Sequence, residues 1–265
     1  PRSNAAALAL GRTIDRLAEV NPAFFSVTFG AGGSTRAHSL TVLQYILEHT
    51  DVDAMAHLTC VGSTRSEVQH LVDEFRAAGV ESFLALRGDV PADGSAEIGE
   101  LHTAAELVAL ILASQPSSET APPRVAVAAF PNGHVRDERP GQDIDALLAK
   151  QDAGATLAIT QLFWRADDYF SYVERARERG VTIDILPGIM PVTSLTRLRR
   201  LEELTDVPAP TELVSVLDTD DSARANSAGI TFAADLLREV LADAPGAHLY
   251  TFNQHETVLD TLARL

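Results

Sequence analysis

One cysteine in 265 residues, Cys60, excludes a disulfide within the chain and fits a reducing compartment, so a cytoplasmic location is expected. Cations are scarce, with 21 Lys and Arg against 37 Asp and Glu, a formal net charge of −16. The basic residues do not gather into a patch, which argues against nucleic acid or an anionic membrane surface as a partner. No uninterrupted apolar run reaches the roughly 18 residues that a membrane-spanning helix needs, and no signal-peptide pattern is visible. Also missing is a GxGxxG fingerprint after the first strand-like segment, which counts against an open, doubly wound dinucleotide-binding sheet.

What is present is enough apolar material for a large core. Hydrophobic residues make up 46% and charged residues 22%, as expected for a soluble globular protein, and residues 1–265 fit one domain of α/β-barrel size, about 250 residues. Strand-type segments fall at 24–29, 55–59, 82–86, 124–130, 156–161, 182–186 and 247–252. Helical patterns occupy 4–20, 36–48, 66–78, 101–112, 143–152, 167–179, 195–204, a stretch from about 221 to 242, and 255–265. In the first of these, Asn4 can cap the helix and Leu10, Ile14 and Leu17 share a face. Gly79, Gly154 and Gly180 follow three of the helices, the place where a left-handed residue ends a helix. Alternation of strand and helix argues for parallel βαβ units with right-handed crossovers. The expected fold is therefore α/β, a (β/α)8 TIM barrel. Since the chain opens on a helix and seven strands are counted, a first strand is expected upstream of Pro1. The competing arrangement is the open doubly wound sheet.

In such a barrel, chemistry gathers where strands end and the following loops begin. The stretch Ser82–Pro91 has that form. Phe83 to Leu86 are apolar, and Arg87, Gly88 and Asp89 follow before Pro91 stops the element. Taken alone it is either a functional tip or an ordinary turn with a surface ion pair. Five further tips are polar: Thr28-Phe29-Gly30-Ala31, His57-Leu58-Thr59, Phe130-Pro131-Asn132-Gly133-His134, Thr160-Gln161 and Pro187-Gly188. Six such tips at one rim are more than a purely structural barrel needs.

The segments Phe25–Ala31, Ala56–Cys60, Leu84–Pro91, Ala158–Phe163, Leu186–Pro191 and Leu249–Asn253 resemble, in order along the chain, those of flavin-dependent methylenetetrahydrofolate reductases. The resemblance implies a TIM barrel with non-covalent FAD, reduced by NADH or NADPH. The flavin would then pass hydride to 5,10-methylenetetrahydrofolate in a ping-pong cycle, giving 5-methyltetrahydrofolate for methionine synthesis. It further implies a bacterial-type catalytic subunit without a regulatory domain, assembled as a homo-oligomer.

The resemblance assigns roles to particular residues. Asp89 would stand beside flavin and folate and stabilise the 5-iminium cation that accepts hydride. Arg87 and Gly88 would contact FAD, the cation by its oxygens and the glycine by close backbone approach. Thr28, Phe29 and Ala31 would line the ring and nicotinamide side. His57 would touch FAD, although a strand histidine can equally be a satisfied core group. Phe130 stands where family members commonly have Tyr, keeping the ring and losing a hydroxyl. His134, Asp143 and Lys150 match contacts to ribose and phosphates. As isolated residues, Asp143 would be a helix cap and Lys150 part of a solvated face. Ala104 matches a small residue that lets the cofactor lie close. Gln161 would serve folate and nicotinamide in turn.

Two departures concern the folate end. Arg197 stands where the family has a folate-contacting Gln, and Gln254 where the family has Arg. A swap is expected, in which one Arg and one Gln grip the glutamate carboxylates from exchanged positions; the plainer reading makes Arg197 a surface residue like Arg199 and Arg200. The family's proton-donating Glu would precede Pro1 and is expected in residues upstream. An alternative function is a barrel that binds flavin or folate without full turnover. A relative of another flavin barrel, such as proline dehydrogenase, fits the Arg-Gly-Asp and Thr-Gln-Leu-Phe tips poorly.

Overall fold

A computed structural model describes residues 4–28, 33–88, 99–114, 121–134 and 137–265. The element order is α1 (Asn4–Ala18), β1 (Phe24–Val27), α2 (Gly33–His49), β2 (Asp53–Thr59), α3 (Arg65–Ala77), β3 (Ser82–Leu86), α4 (Ala104–Ala113), β4 (Arg124–Ala129), α5 (Gln142–Asp152), β5 (Leu157–Thr160), α6 (Ala166–Glu178), β6 (Asp184–Leu186), β7 (Gly188–Ile189), α7 (Leu195–Thr205), α8 (Thr211–Leu217), α9 (Ser222–Val240), β8 (His248–Leu249) and α10 (His255–Leu262). Strands β1 to β6 form one sheet in sequence order, and β7 pairs with β8 in a second. The recorded pairings are parallel, from Phe24 opposite Asp53 to Ile189 opposite Leu249. This is the α/β alternation of the TIM-barrel class, with each of the seven expected strands present.

One strand is split further than the sequence suggests. The ladder of β6 stops at Leu186 because Pro187 has no N–H to donate. The Pro187 carbonyl instead accepts from His248 N at 2.9 Å, and Gly188-Ile189 go on as β7 beside β8.

Contacts divide the chain into two compact units, Pro1–Ala128 with Ala146–Ala158, and Ala129–Asp145 with Ile159–Leu265. In the first, β2 and β3 are buried almost throughout, as strands covered on both faces should be. Phe75 of α3 and Phe83 of β3 pack with ring centroids 6.4 Å apart. Ile14 and Leu17 are the buried stripe of α1, and Leu10 on the same face is half-buried. Helices α3 and α4 both start on reciprocal caps, Thr64 with Glu67 and Thr103 with Glu106. The Thr64 cap holds the Glu67 carboxyl below the usual range, and the His102 N–H, with that of Thr103, does the same for Glu106. In the second unit, Leu162, Trp164, Met190, Val192, Leu198, Leu201, Leu213 and Leu217 form one buried cluster. Gly229 of α9 lies against it so closely that a Cβ would sit 1.9 Å from the Val192 carbonyl oxygen.

Among the described residues, no helix is long and apolar enough to cross a membrane.

Candidate active site

In the first unit the expected residues fall at the C-terminal ends of parallel strands. Thr28 follows β1, is exposed, and its carbonyl accepts a hydrogen bond from the Ser39 hydroxyl at 3.1 Å. His57 lies half-buried on β2, opposite Leu84 of β3. Phe29, Ala31 and Asp89 lie outside the described residues.

The Arg87 carbonyl accepts from Val61 N at 2.9 Å and Cys60 N at 3.3 Å, which ties the tip of β3 to the loop leaving β2. Gly88 has φ +87°, a left-handed conformation that other residues adopt only with strain. A Cβ there would meet Val61 Cγ1 at 2.6 Å. The glycine is therefore explained by packing whether or not a ligand approaches it. Cys60, beneath the turn, is fully buried, and burial pushes its thiol up from the ordinary value.

Ala104 begins α4 and is buried, consistent with a position that tolerates only a small side chain. Lys150 on α5 is buried as well, not part of a solvated face. Its ammonium donates to the Ala128 carbonyl at 2.8 Å, near the end of β4.

In the second unit Phe130, His134 and Asp143 share one neighbourhood. The Phe130 and His134 rings meet edge to face, 4.6 Å between centroids at 89°. Asp137 is tied to His134, taking a hydrogen bond from His134 N at 2.8 Å and donating its own N–H to the His134 carbonyl at 2.8 Å. His134, Asp137, Arg139, Asp143 and Arg175 line a cleft of about 520 Å³, a size typical of small-molecule sites. Asp143 is buried at its edge. Burial raises its carboxyl above the usual range and Asp137 adds to that, while Arg175 opposes it. Arg139 is committed to Asp145 at 2.5 Å, and Arg179 pairs with the same carboxylate. Arg175 stands 5.9 Å over the Tyr172 ring and is the guanidinium of this cleft not bound to Asp145. Sequence reading missed it, since it is one of several arginines on α6; its only signal is the i,i+3 spacing from the aromatic Tyr172.

Gln161 follows β5. Its N–H donates to Ala129 O at 2.8 Å, and its side-chain oxygen accepts from Leu162 N at 2.9 Å. Arg197 and Gln254, 57 residues apart, are in direct contact, with Arg197 Nη1 donating to Gln254 Oε1 at 2.5 Å. The Arg197 guanidinium also lies 5.9 Å above the ring of Phe252. Met190, Arg197, Leu201, Leu204 and Phe252 line a cavity of about 330 Å³ that is mostly apolar with cations at its edge. Arg199 and Arg200, by contrast, pair with Glu202 and Glu203 of their own helix. The suspected partners do meet, and Phe252, exposed and with φ +45°, is the member of the group that sequence reading left out.

The described residues bring together Arg87 with Gly88, His134 with Phe130 and Asp143, and Arg197 with Gln254.

Comparison with known proteins agrees along the chain. The methylenetetrahydrofolate reductase family matches residues 1–265. The 5,10-methylenetetrahydrofolate reductase of Salmonella typhimurium is 33% identical over 260 residues, covering 97% of this chain and 84% of that one. The Escherichia coli enzyme of the same name is 31% identical over 259 residues with the same coverage. A plant protein, methylenetetrahydrofolate reductase (NADH) 1 of Arabidopsis thaliana, is 31% identical over 95% of this chain and 44% of its own length. A solved structure, an uncharacterized Clostridium thermocellum protein that binds two copies of 5-methyl-5,6,7,8-tetrahydrofolic acid, is similar at a TM-score of 0.63 and 12% identity, covering 99% of this chain and 91% of that one. At that identity it bears on the fold alone. With the strand tips, their order and the match over its full length, this chain belongs to the methylenetetrahydrofolate reductase family.

Proposed function

We propose that this protein reduces 5,10-methylenetetrahydrofolate to 5-methyltetrahydrofolate, with bound FAD and with NADH or NADPH as reductant, as a single cytoplasmic catalytic domain in a homo-oligomer that supplies methyl groups for methionine synthesis. The observation that carries the reading is the family match over residues 1–265.

The residues present suit FAD. The cleft of the second unit offers a guanidinium, an imidazole and a buried carboxylate, the donors and acceptor that ribose and phosphates require. Bound there, FAD would supply a two-electron acceptor that takes hydride from reduced nicotinamide and delivers it to folate.

The protein's own part is binding, orientation and charge. His134, Asp143 and Arg175 hold the sugar and phosphate portion, beside Phe130. Thr28, Phe29, Ala31, His57, Arg87, Gly88, Ala104 and Lys150 keep the FAD roles that the family resemblance implies. Asp89 provides a fixed negative charge where a substrate iminium develops, which favours the cation in a water-poor site. Gln161 presents an amide, donor and acceptor at once, to folate and nicotinamide alternately. Arg197 and Gln254 bind the glutamate carboxylates of folate.

The test is the visible spectrum of the FAD-loaded protein under anaerobic conditions. NADH bleaches the flavin band and methylenetetrahydrofolate restores it; initial-rate plots at several substrate ratios give parallel lines. A second reading, binding without turnover, draws on the exchanged Arg197 and Gln254. It requires that NADH bleach the band and folate leave it bleached. Failure to hold FAD at all overturns the reductase reading and the flavin-binding form of the second, and leaves only a barrel that binds folate.

A further inference from the structure

Resting on the reading of Gln161 above, we infer that Tyr250 is a positioning residue that fixes the backbone of Gln161 through the carbonyl of Thr160.

Three elements converge on Thr160 and Gln161. The Tyr250 hydroxyl donates to the Thr160 carbonyl at 2.8 Å, across 90 residues of sequence. The Thr160 hydroxyl oxygen accepts from Gly188 N at 2.8 Å. Thr160 is completely buried, so its carbonyl and hydroxyl oxygens are shielded from water and take these partners instead. On the far side, Gln161 N donates to Ala129 O at 2.8 Å. Residues 160 and 161 are thereby pinned to β4, β7 and the end of β8 at once.

The packing leaves little freedom. A Cβ on Gly188 would lie 2.2 Å from the Thr160 carbonyl oxygen and 2.8 Å from Tyr250 Cε2. Glycine is required so that the tyrosine can pass over residue 188 and reach the carbonyl. The Tyr250 ring is held in turn by the edge-to-face imidazole of His248, 4.8 Å away at 76°. Burial raises the Tyr250 hydroxyl to about 12, so it remains a donor through the neutral range.

Among the described residues the Gln161 side chain, by contrast, is held by one local bond, its oxygen accepting from Leu162 N at 2.9 Å. A fixed backbone under a side chain that can leave a single N–H is what a residue serving two substrates in turn requires. The backbone sets where the amide pivots, and the ligand sets how it turns.

The experiment is a double-mutant cycle with Tyr250→Phe and Gln161→Ala, measuring KM and kcat for both substrates, FAD affinity by flavin fluorescence, and thermal stability. Tyr250→Phe keeps the ring and removes only the donor. KM for NADH and for methylenetetrahydrofolate should each rise about fivefold, the scale of one lost hydrogen bond, with FAD affinity unchanged. In the Gln161→Ala background the same substitution should change neither KM, because the positioned amide is already gone. Equal effects of Tyr250→Phe in both backgrounds overturn the inference and leave the tyrosine a stabilising contact only. A loss of FAD affinity as large as the rise in KM does the same. If Gln161→Ala alone leaves both KM values unchanged, the role given to Gln161 fails, and the inference fails with it.

Discussion

The end of β3 is held by main chain from nearby in the fold, whereas the end of β5 is held through two side-chain hydroxyls, its own Thr160 and Tyr250, that reach partners far along the sequence. At β3, the Arg87 carbonyl is bound by two successive N–H groups, of Cys60 and Val61, and the following Gly88 turns with φ +87°. At β5, Thr160 is bound by its hydroxyl to residue 188 and by its carbonyl to residue 250. Both ends hold a small glycine against a neighbour, but the neighbours differ. Gly88 faces the methyl of Val61, a side chain that can rotate; Gly188 faces a backbone carbonyl, which cannot. A tip built on backbone and one flexible side chain should absorb an error. A tip built on a fixed carbonyl should not.

Gly188→Ala is therefore expected to have the largest effect. The new methyl overlaps Thr160 O and the Tyr250 ring together, so relief requires separating β7 from β5 or expelling the tyrosine. Overpacking of this kind costs about 3 kcal/mol or more. Urea unfolding of the variant measures it, and a loss under about 1 kcal/mol would show that the tip yields more easily than its contacts imply.

Gly88→Ala should cost less, about 2 kcal/mol, from the left-handed backbone together with the Val61 contact. The two contributions separate in the double variant with Val61→Ala. Removing the valine should relieve the contact and leave the conformational part. If the double variant is less stable than the sum of the single ones, the valine is a support for the turn rather than an obstacle.

A smaller and different effect is expected at the Arg197–Gln254 pair, whose two members also come from distant parts of the chain. Arg197→Ala should raise KM for methylenetetrahydrofolate roughly tenfold, the scale of one charge-assisted hydrogen bond, and leave NADH-dependent flavin reduction unchanged. Gln254→Ala should do less, since it removes the orienting partner and leaves the charge. Steady-state kinetics with the two substrates varied separately decides this, and an unchanged folate KM in both variants removes the pair from the binding site.

The same contrast explains what could be read from the sequence. Strand positions were legible because buried parallel strands are nearly continuous apolar runs, as in Phe83–Leu86. Helix ends were legible where Gly79, Gly154 and Gly180 take positive φ. The Arg87-Gly88 turn was legible because its glycine and cation are adjacent in sequence. The split at Pro187 was not, since only the pairing with His248 shows where one ladder ends and the next begins. The clamp on Thr160 was hidden for a related reason. Tyr250 sits in a recognisable segment, yet nothing local indicates a bond across 90 residues. Lys150 misled as an isolated residue because charge suggests solvent, and its burial depends on the Ala128 carbonyl that receives it. Arg197 and Gln254 were legible only as two departures from one family pattern, and their contact across 57 residues has no local signal.

The smallest effect concerns acid. His248 lies against Tyr250, and burial lowers its pKa from 6.5 to about 4. The unfolded chain therefore binds a proton at this residue between those values while the folded chain does not. Unfolding becomes easier as pH falls from 6.5 toward 4, and the full advantage of the neutral, buried ring is present only above 6.5. We expect a loss of about 1 kcal/mol across that window from this group, below what the whole shift would give, because the ring is only half-buried. Replacing His248 with Gln should flatten that part of the stability profile while leaving the Gly88 turn, in the other unit, as it was. If the wild-type and His248→Gln profiles keep the same slope between pH 6.5 and 4, the imidazole is solvated well enough to titrate normally, and the β8 side of the clamp is more open than its packing suggests.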